Sequence, residues 1–330
     1  LDLMLLKILL RRCYTMIKII GITDENKVDT DIAINNANFA QYKWFWVDFN
    51  EPTAEEVKHL TDTFHFHPLA VEDCVQTLQR PKLDYYDDYT FYVTHKISET
   101  ADEVIKEELD SFVGDNFIVT FHLSASKEVD QIRNRLLYCK NIEEWDSYYI
   151  LYEILDKIVD NYFPLINKIE DELLEIEDVI QNDSTDDVID HLFDIRHRLL
   201  LFRQTVNPMR DLLYRMLNSR HLGGIKSRRE YFSDIHDNLL KVTELITSNR
   251  EVTTDMRDSY LSMVSHQSNN LMKTLTIMTS IFSPLTLISG IYGMNFKHMA
   301  ILQWEYGYYA VMGLMLIIGV LMFLWIKRKD

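Results

Sequence analysis

Residues 292–295, Tyr-Gly-Met-Asn, stand at the end of an uncharged run from Thr274 to Phe296. The oxygens on offer are neutral: the side-chain amide of Asn295 and the backbone carbonyls around Gly293. A small divalent cation that keeps several of its waters is suited by neutral oxygens at outer-shell distance, without a crowd of carboxylates. Glycine at 293 lets a helix end unwind and expose its carbonyls, and that end of a helix is the negative one. Upstream, at ~100° per residue, Thr276, Thr279, Ser283, Thr286 and Gly290 fall within an arc of roughly 80°. Ile277, Ile281, Leu285 and Ile288 fill a similar arc on the opposite side. This pattern reads either as a polar lining or as hydroxyls bonded to carbonyls one turn back.

The elements that carry these residues are legible. The run 274–296 and a second uncharged run, 306–326, are each long enough to cross a ~30 Å hydrocarbon core as a helix. Residues 297–305 join them as a tight extracytoplasmic loop. Lys327, Arg328 and Lys329 follow the second span, which places the C-terminus in the cytoplasm and, after two crossings, the N-terminal part with it. Trp304, Tyr306, Tyr308 and Tyr309 form the outer aromatic belt, with Trp325 near the inner one. The first span extends an N-terminal helix: between Gly224 and Pro284 there is neither glycine nor proline.

Further upstream, residues 16–147 read as an α+β domain, an α/β/α sandwich. Segments 42–49, 89–97 and 116–123 are rich in aromatic and β-branched residues. Segments 53–64 and 126–138 have helical spacing, with Thr53 placed to cap the first. Residues 148–222 read as long antiparallel helices turning near Asn182–Thr185. The "GG" at 223–224 marks a loop, and residues 225–296 form the stalk helix that becomes the first span at about 274–295. Residues 1–15 read as an extension, with Lys7 inside a short apolar core and no cleavage site.

Composition excludes several classes. A net charge of −17 argues against nucleic acid and favours cations as partners. Cys13, Cys74 and Cys139 match neither a disulfide framework nor a zinc spacing. No phosphate loop or nucleophile elbow is present, so the chain is not read as an enzyme. "HFH" at 65–67 lacks a third ligand nearby and reads as structural before Pro68.

The segment "SPLTLISGIYGMNF" (283–296), followed by a second span and a basic tail, resembles the CorA family of divalent-cation channels through its Gly293-Met294-Asn295 signature. The likeness extends through 232–239 and 257–278 and reaches the N-terminal domain at 66–91. It implies a funnel-shaped homopentamer in the cell membrane, conducting Mg2+ and closed by cytoplasmic Mg2+, with Co2+ or Ni2+ as further ions. A relative moving Zn2+, Co2+ or Ni2+ is the alternative. The resemblance makes Gly293, Met294 and Asn295 the selectivity filter. The stripe continues downward as Leu275, Met272 and Asn269, with Leu275 in the apolar constriction. Ser283 stands where members carry a larger apolar residue, and Lys297 to Leu302 replaces an acidic, proline-containing loop. For regulation the resemblance implies Asp73 facing Asp258 of a neighbouring subunit, with Asp234 at a second site and Glu72 beside it.

Overall fold

The computed structural model describes residues 16–30, 32–76, 79–100, 103–181, 188–294 and 306–329. The extension 1–15, the turn near Asn182–Thr185, Asn295 and the loop 297–305 lie outside them. Contacts divide the chain into two compact units, one running to Thr254 and one from Asp255.

The first unit is built on a seven-stranded sheet. Its strands are β1 (Ile17–Ile22), β2 (Val28–Asp29), β3 (Trp44–Asn50), β4 (Lys82–Tyr85), β5 (Thr90–Glu99), β6 (Val104–Val113) and β7 (Phe117–His122), in the order β2-β1-β3-β7-β6-β5-β4. Among the described strands, β3 and β7 pair in parallel and the other neighbours antiparallel. β3 explains why both faces must be covered: Phe45, Val47 and Phe49 alternate with Trp44 and Trp46, and all five are buried. Period-two alternation sends the two sets to opposite faces. The phenylalanine face joins α1 (Ala54–Asp62) and α2 (Pro68–Val75) through Leu60, Phe66, Ala70 and Cys74. Phe66 lies flat on Phe112, ring centroids 4.0 Å apart.

α3 (Lys127–Leu137) and α4 (Ser147–Asp160) follow the sheet. α4 packs across β3, β5, β6 and β7 and buries Ile150, Leu151, Ile154, Leu155 and Ile158. The result is the expected α/β/α sandwich. Local chemistry starts these helices where the sequence indicates. Thr53 and Glu56 form a complete capping box on α1, and the Ser126 side chain accepts the Val129 N–H of α3.

One buried polar network sits within the sheet. Trp46 Nε1 donates to Thr120 Oγ1 at 3.0 Å, and Thr120 donates to Asp48 Oδ1 at 2.7 Å. His122 Nε2 lies 3.1 Å from the same oxygen. Burial alone would lower the His122 pKa, but the hydrogen bond and charge of Asp48 outweigh it and raise it.

α5 (Tyr162–Gln181) and α6 (Val188–Asn218) are tied by an ion pair between Glu172 and Arg198. The first part of 148–222 differs from the sequence reading: α4 belongs to the sandwich and ends at Asn161 before α5 begins. The glycine pair also differs, because it opens a short helix, α7 (Gly223–Ser227), instead of a loop. A Cβ on Gly224 would meet the Tyr148 ring at 2.2 Å, so glycine is what allows this turn to close on α4. α8 then runs unbroken from Arg229 to Tyr292, 64 residues including Pro284, on the order of 95 Å. α9 (Gly307–Lys329) completes the chain.

Candidate functional site

The second unit consists of the last part of α8 and all of α9. Both helices are long and apolar enough to cross a membrane, with mean hydropathy of 1.5 and 2.5 in their richest windows. Three sides of α8 can be told apart. Ile277, Ile281, Leu285 and Ile288 are half-buried. On α9 the half-buried positions are Val311, Met315, Ile318, Gly319, Met322 and Ile326, which share one helical face. The two faces meet where Leu285 approaches Gly319, 3.8 Å from where a Cβ would stand. Small residues at such a point let helix backbones come close.

Thr276, Thr279, Ser283, Thr286 and Gly290 are all exposed. At ~100° per residue their arc is centred about 180° from the arc facing α9. Met272, Leu275 and Asn269 are exposed as well. Leu271, Met278, Phe282 and Leu287 are equally exposed, but they lie beside the polar stripe and are purely apolar.

The threonine hydroxyls have a fixed polarity. Thr276 donates to the Met272 carbonyl at 2.7 Å and Thr286 to the Phe282 carbonyl at 2.8 Å. Thr279 donates likewise to the Leu275 carbonyl. With its proton committed one turn back, each hydroxyl has only lone pairs left for an outside partner. Back-bonding and lining are therefore compatible, and together they make an acceptor surface suited to cations.

At the upper end of α8, the Gly293 N–H donates to the Ser289 carbonyl at 2.9 Å, and the Met294 N–H to Ile291 at 3.3 Å. A Cβ on Gly293 would stand 3.3 Å from the Ser289 oxygen and 3.5 Å from that of Gly290. Glycine thus leaves these carbonyls uncrowded. Met294 is exposed.

The acidic positions divide between the units. Asp73, on α2, is not free: Lys82 Nζ lies 2.6 Å from its Oδ2 and 3.0 Å from Asp84 Oδ2. Burial pulls the Lys82 pKa down, but these carboxylates outweigh it and hold it above the ordinary value. Neither Lys82 nor Asp84 was picked out by the sequence reading, although "RPKLD" places both on the strand that follows α2. Glu72 accepts from Gln76 Nε2 at 2.6 Å. Asp258, on α8, is exposed and paired with its neighbour Arg257 at 2.8 Å.

Asp234 has a companion that the sequence reading missed. Burial, then the charges of Asp160, Glu153 and Asp234, push the Asp156 carboxyl up from 3.8 to about 6. The available signal was the pair Asp156 and Asp160, one turn apart on α4. Among the described residues, no three His, Cys, Asp or Glu side chains are arranged to hold a metal ion. Cys74 and Cys139 are free. The His65 ring lies 3.2 Å from the Thr61 carbonyl on α1, and the His67 ring caps α2 by accepting the Leu69 N–H at 3.2 Å.

Two helices long and apolar enough to cross a membrane, one with threonine hydroxyls that keep only acceptors free on the side opposite its partner, are features of an α-helical membrane transport protein. The comparisons with known proteins agree. The model of the CorA-like Mg2+ transporter protein family matches residues 41–328. YfjQ of Bacillus subtilis is 46% identical over 314 residues, 95% of this chain and 98% of that protein. The cobalt/magnesium transport protein CorA of Thermotoga maritima is 31% identical over 276 residues, 83% of this chain and 79% of that one. Among solved structures, that of the complete CorA magnesium transporter from Methanocaldococcus jannaschii matches with a TM-score of 0.83 at 24% identity, covering 96% of this chain and 99% of that one. The chain belongs to the CorA-like Mg2+ transporter family, whose members are ion channels and transporters, not enzymes.

Proposed function

We propose that this chain forms a homopentameric Mg2+ channel in the cell membrane, both termini in the cytoplasm, and that it conducts hydrated Mg2+ inward. The observation that carries this reading is the exposed polar stripe on α8, directed away from α9, whose three threonine hydroxyls keep only their acceptors free. Five copies of α8 would bring Asn269, Met272, Leu275, Thr276, Thr279, Ser283, Thr286 and Gly290 to a common axis. Leu275 and Met272 close such a pore by dewetting. Gly293, Met294 and Asn295 form the filter, where neutral oxygens bind an ion through its retained waters. Co2+ and Ni2+ are secondary cargoes.

Closure follows from Mg2+ bound between subunits at Asp73 and Asp258, with Asp234 and Glu72 assisting. A Mg2+ ion arriving at Asp73 displaces Lys82, so regulation is an exchange of one cation for another. As cytoplasmic Mg2+ falls, the closed state loses its differential stabilisation and the pore opens.

Flux into proteoliposomes tests the pore. Asn295→Ala should lower Mg2+ entry by about a hundredfold, ~2.8 kcal/mol at 1.4 kcal/mol per tenfold, and unchanged flux would refute the filter assignment. Zinc uptake without magnesium uptake would transfer the reading to a zinc-carrying relative. Asp73→Ala combined with Asp258→Ala should weaken closure by Mg2+, and unaltered inhibition would overturn the regulatory assignment.

A further inference from the structure

We infer that the first unit carries a binding site for a phosphorylated, hydroxyl-bearing small molecule, in the cleft where α6 meets β5, β6 and the segment before β4. The cleft has a volume of about 510 Å3 and is lined by Arg80, Lys106, Arg203, His95, Gln204 and Asn207, among others. That volume is within the range of small-molecule sites, roughly 300–1,000 Å3.

Three cations gather here in a chain of net charge −17, where acidic neighbours are plentiful. Among the described residues none of the three is engaged in an ion pair or hydrogen bond. Elsewhere in the chain carboxylates hold Lys82, Arg198 and Arg228. Two guanidinium groups and an ammonium lining one cleft without a carboxylate partner suit a phosphate, which Arg binds through paired donors.

The wall of the cleft supplies the second, independent observation. His95 is 1% exposed and its Nδ1 has no hydrogen-bond partner; the buried Oδ1 of Asn207 has none either. His95 Nε2 is committed to the Gln79 carbonyl at 2.6 Å, so in the neutral ring Nδ1 is an acceptor. Pro208, inside α6, has no N–H to give the carbonyl of Gln204 four residues earlier. Nδ1 and Oδ1 are two acceptors awaiting donors, and unpaired buried polar atoms are costly. Hydroxyl groups beside a phosphate meet both halves of the cleft.

The cleft is also rigidly framed. The Gln79 N–H donates to Glu108 Oε2 at 2.6 Å, and Tyr162 OH donates to the His95 carbonyl at 2.6 Å. Glu108 is the carboxylate closest to the imidazole, 3.8 Å from Nε2, and it does not line the cleft.

The test is titration calorimetry on the detergent-solubilised full chain in chelator-treated buffer, with ribose 5-phosphate, inorganic phosphate and ribose as probes. Ribose 5-phosphate should bind at least tenfold more tightly than either of the others. Arg203→Ala and Lys106→Ala should each weaken it about tenfold, and Arg203→Lys should weaken it less than Arg203→Ala, because the charge stays while the paired donors are lost. Asn207→Leu should erase the preference over inorganic phosphate. Absence of ribose 5-phosphate binding at millimolar concentration overturns the site, as does unchanged affinity in Arg203→Ala. Equal affinity for inorganic phosphate overturns the assignment of an ester. Arg203 is exposed, so its substitution leaves the fold intact.

Discussion

The unit ending at Thr254 and the unit beginning at Asp255 handle exposed chemistry in opposite ways. In the first, apolar side chains are covered on both faces of the sheet, and most buried polar groups find partners within the chain. In the second, Leu271, Met272, Leu275, Phe282, Leu287 and most of α9 stay exposed, and the polar stripe offers acceptors with no donor facing them. Exposed apolar surface on this scale marks contact with membrane or with other subunits. The first unit is a finished globular object. The second leaves its apolar sides and its polar stripe open.

The contrast can be broken by mutation, and the largest effect belongs to the core. Phe112→Ala, in a fully buried position, should cost about 3–5 kcal/mol in denaturant unfolding of the first unit. Leu287→Ala, exposed on α8, should change stability in detergent by less than ~0.5 kcal/mol. A large loss from Leu287→Ala would show that this face packs within the chain.

A smaller effect separates the stripe from the apolar surface beside it. Thr279→Val keeps the size of the side chain and removes the oxygen, and should slow Mg2+ flux about tenfold, equivalent to ~1.4 kcal/mol. Leu287→Val should leave flux unchanged. Equal effects at the two positions would dissolve the distinction between lining and lipid face.

The smallest effect is one of pH. Asp156 has its carboxyl pKa raised from 3.8 to about 6 in the folded chain. Its ionisation therefore costs stability that is intact below pH ~4, is lost as pH rises toward 6, and stays lost above. Asp156→Asn should raise the melting temperature slightly at pH 7.5, and the gain should vanish as pH falls through 6 toward 4. A gain independent of pH would mean the repulsion from Asp160, Glu153 and Asp234 is not its source.

Much of this molecule was legible because its signals are local or periodic. Thr53 and Ser126 cap their helices through groups three residues away, a range that sequence displays directly. The stripe was legible because each residue of a lone helix meets one surrounding, so spacing alone sorts the sides. Gly224 was misread as part of a loop because its role is set by the Tyr148 ring, 76 residues earlier. Lys82 went unnoticed because its strand comes back beside α2, and Asp156 because Asp234 adds to its burden from another helix.

By itself, then, the sequence determined the two spans, the order of strand-rich and helical regions, the acceptor stripe and the glycine before Asn295. Each depends on composition or on angular period, and both survive without knowledge of the fold. The tertiary structure alone decided which acids are already paired, which carboxyl is driven toward neutrality, and where three cations are left without a counter-charge. Those are properties of the electrostatic field, which sums over neighbours in space and is indifferent to their distance along the chain.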